Sequence, residues 1–155
     1  MVAYNKFEQY IGDVFNAVIN HSSDTFKVSL FAAAPVATDT DLNTSLSPDQ
    51  LVGSSGNEIA AGNGYTEGGN TLTITTAAEA SGTYTFAANQ TVFTASGGAI
   101  TTFRYYVLYD NTAGAAATRP IVAWWDHGSN VTLNDGDTFT IQFSGTDPGN
   151  IFTAS

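Results

Sequence analysis

Fourteen acidic residues stand against four basic ones in this 155-residue chain, a formal net charge of −10. Too few cations are present to neutralise a phosphate backbone, so nucleic acid is excluded as a partner. There is no cysteine, and one domain of this length buries roughly two-thirds of its unfolded surface without cross-links. Charged residues make up 12% of the chain, about half the ~25% usual for a globular domain. Thr, Ser, Asn, Gly and Ala take their place, as in packed structural or adhesive β modules.

The opening residues have neither a basic segment leading into an apolar run nor a cleavage site, and no apolar run approaches the ~20 residues of a membrane span. The expectation is a protein made in the cytoplasm with no membrane partner. Tyr4, Phe7, Ile11, Val14, Phe15 and Val18 recur at three-and-four spacing, which predicts one amphipathic helix over about residues 4–20. Its polar face has a single lysine, Lys6, so it suits packing on its own sheet better than a membrane surface. A turn follows at 20–24. Phe26, Val28 and Leu30 then alternate with Lys27 and Ser29, as in a strand. Periodicity is lost over about 32–57, where Pro35 and Pro48 fall, and the reading there is a long irregular excursion that lies on a neighbour or covers one end of the fold. Residues 61–70 contain Gly62, Gly64, Gly68 and Gly69, a loop needing positive φ at several places.

Strand-like runs at 71–76, 83–88 and 91–94 are separated by Gly, Ser and Asn turns. That rhythm predicts a mainly β fold, a single-domain β-sandwich or jelly-roll-like barrel with one N-terminal helix. The richest stretch is 103–143. Along 103–109, alternation puts Phe103, Tyr105, Val107 and Tyr109 on one face and Arg104, Tyr106 and Leu108 on the other. Trp124 and Trp125 are adjacent and must also point to opposite faces. A strand apolar on both faces is either central in a layered structure or covered by a partner chain. An Ala/Gly-rich mobile loop is expected at 111–118, and Asn134-Asp135-Gly136-Asp137 is a turn leading to a last strand at 138–143. The remaining tail, with Ile151 and Phe152, is expected to dock on a neighbouring chain.

Chemistry is sparse. His21 and His127 read as surface or capping residues in turns. Asp39-x-Asp41-x-Asn43 opens like a calcium loop, but Thr44 stands where glycine is needed and Gln50 where a bidentate Glu is needed. The Ser of Gly53-Ser54-Ser55-Gly56 lacks the spacing of a nucleophile elbow. Glu58 and Glu67 are the nearest approach to a glycosidase pair. No enzyme, metal or cofactor is expected.

Several strings resemble small virion structural proteins of tailed bacteriophages. They are Glu58-Ile59-Ala60-Ala61-Gly62-Asn63-Gly64-Tyr65-Thr66 with Gly68-Gly69, Phe93-Thr94-Ala95-Ser96-Gly97-Gly98, and Trp124-Trp125-Asp126-His127-Gly128-Ser129 with Leu133-Asn134-Asp135-Gly136-Asp137-Thr138-Phe139. Ala3-Tyr4-Asn5-Lys6-Phe7 and Ser23-Asp24-Thr25-Phe26-Lys27-Val28 fit the same group. The resemblance implies a capsid decoration, or cement, protein on the head surface of the virion. Such a protein bridges subunits of the major capsid protein, with a homo-oligomer, a trimer by preference, as its working form. The alternative is a tail or fibre component that binds a host glycan through exposed aromatics. No functional residue carries over from the resemblance. Aromatics and arginine are enriched at the centres of interfaces, and Arg104, Tyr106, Arg119, Trp125 and Phe152 are accordingly the candidate subunit contacts.

Overall fold

A computed structural model of the chain describes residues 3–112 and 117–155. In chain order the elements are β1 (Asn5–Lys6), α1 (Gln9–Phe15), β2 (Phe26–Phe31), β3 (Asp41–Asn43), β4 (Gln50–Leu51), β5 (Asn70–Thr71), β6 (Ile74–Ala80), β7 (Thr83–Ala88), β8 (Thr91–Thr94), β9 (Ile100–Asp110), β10 (Arg119–Leu133), β11 (Thr138–Ile141) and β12 (Gly149–Ala154). The large sheet runs β4-β3-β10-β9-β2-β5, with β1 also paired to β10. Two small sheets accompany it, β11-β8 and β12-β7-β6. Every pairing is antiparallel. The fold is mainly β, as the strand rhythm predicts, and its large sheet is curled.

Register explains why the aromatic strands are apolar on both sides. Leu30, Tyr106 and Trp125 are paired across β2, β9 and β10 and so share one face, followed two residues on by Val28, Leu108 and Ala123. Ser29, Val107 and Trp124 share the other face. Of these nine residues, all but the half-buried Trp124 are buried. The first face is covered by the N-terminal segment, β7, β11 and β12. The Tyr4 ring meets Trp125 edge-on at 5.7 Å, Phe143 lies 5.5 Å from Trp125, and Phe86 lies 5.1 Å from Phe26. On the other face the Tyr109 hydroxyl donates to the Gly68 carbonyl of the glycine-rich loop at 2.9 Å. A partner chain is therefore not needed to cover these strands.

Four expectations are corrected. The helix is two turns, not five. Asn5 and Lys6 pair with Trp124 and Ala123 as a strand, and the chain leaves the helix at Asn16 and turns through Ala17 at φ +57°. Its buried side chains are Tyr10 and Asp13, while Ile11, Phe15 and Val18, predicted to face the core, are 42%, 86% and 42% exposed. The stretch 32–57 is not an outlying excursion. It holds β3 and β4, which extend the large sheet beyond β10 and bury Leu42 and Leu51. The tail is a strand of the chain's own fold, since β12 pairs with β7 from Gly149↔Ala88 to Ala154↔Tyr84. Finally, strict alternation along β9 fails. Between the pairs Tyr105↔Asp126 and Phe103↔Val131, β10 takes several extra residues. Phe103 and Tyr106, expected on opposite faces, both reach the Phe139 ring, at 5.0 and 6.3 Å. The middle of the loop expected at 111–118, residues 113–116, lies outside the described residues.

Two glycines of the predicted 61–70 loop fix how it packs. Gly69 has φ +65°, and a Cβ there would fall onto the Val28 carbonyl of β2. Gly64 has φ +94° and presses in the same way on the Thr94 carbonyl of β8.

Candidate functional site

The five residues singled out as interface candidates do not form one patch. Arg104 makes a two-pronged contact with Asp126, Nε to Oδ1 at 2.7 Å and Nη2 to Oδ2 at 2.8 Å. Its guanidinium lies 5.4 Å from the centre of the Tyr105 ring, and the Asp126 carboxyl is held below its ordinary range by Arg104. Arg119, at the start of β10, donates from Nη1 to the Asn111 carbonyl at 2.8 Å, an internal brace. Tyr106 and Trp125 are stacked at 5.3 Å and 7% and 5% exposed, which corrects their reading as surface contacts. Burial pushes the Tyr106 hydroxyl up to about 12, so it stays neutral.

Tyr106, Trp125 and half-buried Phe152 do converge. All three line a groove of about 860 Å³ between β11 and β12, bordered by residues 142–145 of the connecting segment. Trp125 and Tyr106 form its floor. Tyr4, Phe139 and Phe152 stand at its walls, each half-buried. Thr140, Gln142, Asn150 and Thr153 supply polar groups, and exposed His127 packs edge-on against Phe139 at 5.4 Å.

A second groove, of about 490 Å³, lies on the other side of Phe152. Its apolar wall is the outward side of the helix, Ile11, Val14 and Phe15, and its base includes Tyr10, His21 and Tyr84. His21 is corrected here from a turn-surface residue to a buried one, 8% exposed. Its Nε2 is 2.7 Å from the Tyr10 hydroxyl, and its ring is surrounded by Phe26, Tyr84, Phe86 and Phe152 at 4.7–5.9 Å. Burial lowers its pKa and keeps the imidazole neutral. In the sequence, the polar turn 20–24 conceals this. No pattern in the sequence links His21 to Tyr10, eleven residues earlier; only the turn after the helix brings the two together.

The carboxylates do not make a catalytic pair. Glu58 is 2% exposed and lines neither groove. Its Oε1 accepts from the Tyr65 hydroxyl and from the Gly68 N–H, the latter at 2.7 Å. Burial first, and the nearby Asp49 carboxyl second among the raising influences, push Glu58 up to about 8. Glu67 instead accepts from the Ser47 hydroxyl at 2.8 Å near the surface. Asp39 is fully buried and accepts the Val36 N–H at 2.9 Å, a loop brace in place of a calcium ligand. Asp135 and Asp137 close their turn by accepting the N–H groups of Gly97 and Asn134. Among the described residues no three His, Asp or Glu side chains are grouped to hold a metal ion, and no helix is long and apolar enough to cross a membrane.

Comparison with protein families, with curated proteins and with solved structures finds no match to this chain.

Proposed function

We propose that the protein is a structural component of a bacteriophage virion, a head decoration protein that docks on the major capsid protein. One observation carries the reading. A chain that covers both faces of its aromatic sheet nevertheless leaves Ile11 and Phe15 exposed on the wall of an apolar groove, with Val18 exposed just beyond the helix end. Exposed apolar clusters of this kind mark interaction surfaces, and here the helix face is the contact for the capsid subunit. The resemblance of several sequence strings to small virion proteins is in keeping with this reading. The working form is a homo-oligomer, with a trimer favoured, and binding stabilises the shell by mass action without turnover.

Purified particles test this. The expected result is hundreds of copies per particle on the head surface, lost with Phe15→Asp although that variant stays folded. A handful of copies at the tail, or undiminished incorporation of Phe15→Asp, would overturn it. The second reading, a tail or fibre part that binds host glycan, is favoured by the aromatic groove between β11 and β12.

A further inference from the structure

We propose that the groove between β11 and β12 is a binding site for a neutral oligosaccharide. The inference rests on the groove's lining alone, and it holds whether the chain is placed on a head or a tail. In a chain of fourteen acids, the groove is lined by no Asp, Glu, Lys or Arg. A charged ligand would lose its hydration there and meet no carboxylate, ammonium or guanidinium group, only the imidazole of exposed His127. The ligand that fits is uncharged, with apolar patches for rings and hydroxyls for polar groups.

The lining supplies both. Tyr4 and Phe152, with centroids 6.2 Å apart, and Phe139 on the opposite wall present ring surface above the stacked Trp125–Tyr106 floor. Aromatic faces carry negative charge density that attracts the C–H groups of a pyranose. Gln142 is tethered through its Nε2 to the Gln90 Oε1 at 2.9 Å, which fixes its amide at the wall. The Asn150 amide and the Thr140 and Thr153 hydroxyls can each donate and accept.

The backbone adds more. The lining includes consecutive residues of both strands, 139–141 of β11 and 150–153 of β12. Neighbouring residues of a strand face opposite ways, so a surface that touches all of them runs along the strand's edge. Among the described residues β11 pairs only with β8 and β12 only with β7. Their outer edges therefore offer N–H and C=O groups to ligand hydroxyls.

An added peptide strand fits less well. The edge of β11 is four residues long. At the turn, Gly149 sits so close to the Phe143 carbonyl that there is no room for a Cβ, which closes that end to a through-running chain. The volume, about 860 Å³, lies within the range of small-ligand sites and accommodates a short oligosaccharide.

The test is an array of neutral and acidic oligosaccharides probed with the full chain, with hits titrated by tryptophan fluorescence and saturation-transfer NMR. The expected result is saturable binding of at least one neutral oligosaccharide. Phe152→Ala and Asn150→Ala should each weaken it about tenfold, and Phe15→Asp, in the other groove, should leave it unchanged. Asn150 is exposed, so its variant tests the site without a folding defect. Binding only of acidic saccharides, no saturable binding, or affinity unchanged in both groove variants would overturn the proposal. Protection of the β11 and β12 edges by selected extended peptides, with no saccharide binding, would replace it with strand addition.

Discussion

The two faces of the central sheet are closed by different means. On the side of the glycine-rich loop, backbone meets backbone. Gly69 lies against the β2 backbone, the Tyr109 hydroxyl reaches the Gly68 carbonyl, and buried Glu58 is held by Tyr65 and the Gly68 N–H. On the side of the helix and β12 the cover is a layer of rings, Tyr4, Phe86, Phe143 and Phe152. Backbone can approach without gaps and supplies donors, so a carboxyl can be buried beneath it. Rings meet at angles and leave clefts, and both grooves lie on that side. The buried carboxyl of Glu58 belongs to the closed side, and the accessible apolar surface of the two grooves to the open one.

The largest break in this contrast is expected from Gly69→Ala. A Cβ at positive φ, pressed on the Val28 carbonyl, should cost about 3 kcal/mol or more, seen as a large fall in the urea midpoint or as failure to fold. Gly82, also at positive φ but with open space around it, should cost only the αL strain of about 1–2 kcal/mol on the same substitution.

Next comes the protonation of Glu58. Its pKa is about 8 in the fold, against an ordinary 4.5. The folded chain thus holds a proton that the unfolded chain releases, and stability is full below about pH 4.5 and lost as pH rises through 8. Glu58→Gln keeps an acceptor for Tyr65 and Gly68, and should flatten that alkaline decline in denaturation series from pH 5 to 9.

On the ring side the sign reverses. His21 takes up its proton more readily unfolded, so stability falls as pH drops below its ordinary 6.5. His21→Phe should remove this acid dependence, at a cost of about 1–3 kcal/mol for the unpartnered Tyr10 hydroxyl. The smallest effect on stability is expected from Phe15→Asp. At an 86% exposed position it should shift unfolding by no more than about 0.5 kcal/mol, while weakening any association through the helix face.

What was legible in the sequence follows the same division. β7 and β8 begin and end at the predicted residues, because alternation and Gly/Ser/Asn turns act locally. The ring side misled. Tyr4, Phe7, Ile11, Val14, Phe15 and Val18 satisfy helical spacing, yet pairing of Asn5 and Lys6 with β10 takes the first of them into a strand connection. Three others then remain outside. The tail gave no periodic signal, because β12 is six residues long and is defined by its partner β7. The groove was unreadable for the same reason. Its walls come from residues 3–4, 106, 125, 127, 139–145 and 150–153, which only the tertiary fold brings together. The aromatic interface candidates Tyr106, Trp125 and Phe152 do meet there, though two of them serve as floor.

The pairing of β1 with β10 joins Asn5 to Trp124, 119 residues apart along the chain. On a ribosome the first strand emerges long before its partner exists, and β7 likewise waits for β12. Such distant closures slow the search for the native state. Closure of β1 and β7 is thus expected to wait for β10 and β12, with the aromatic strands exposed to chaperones until those partners emerge.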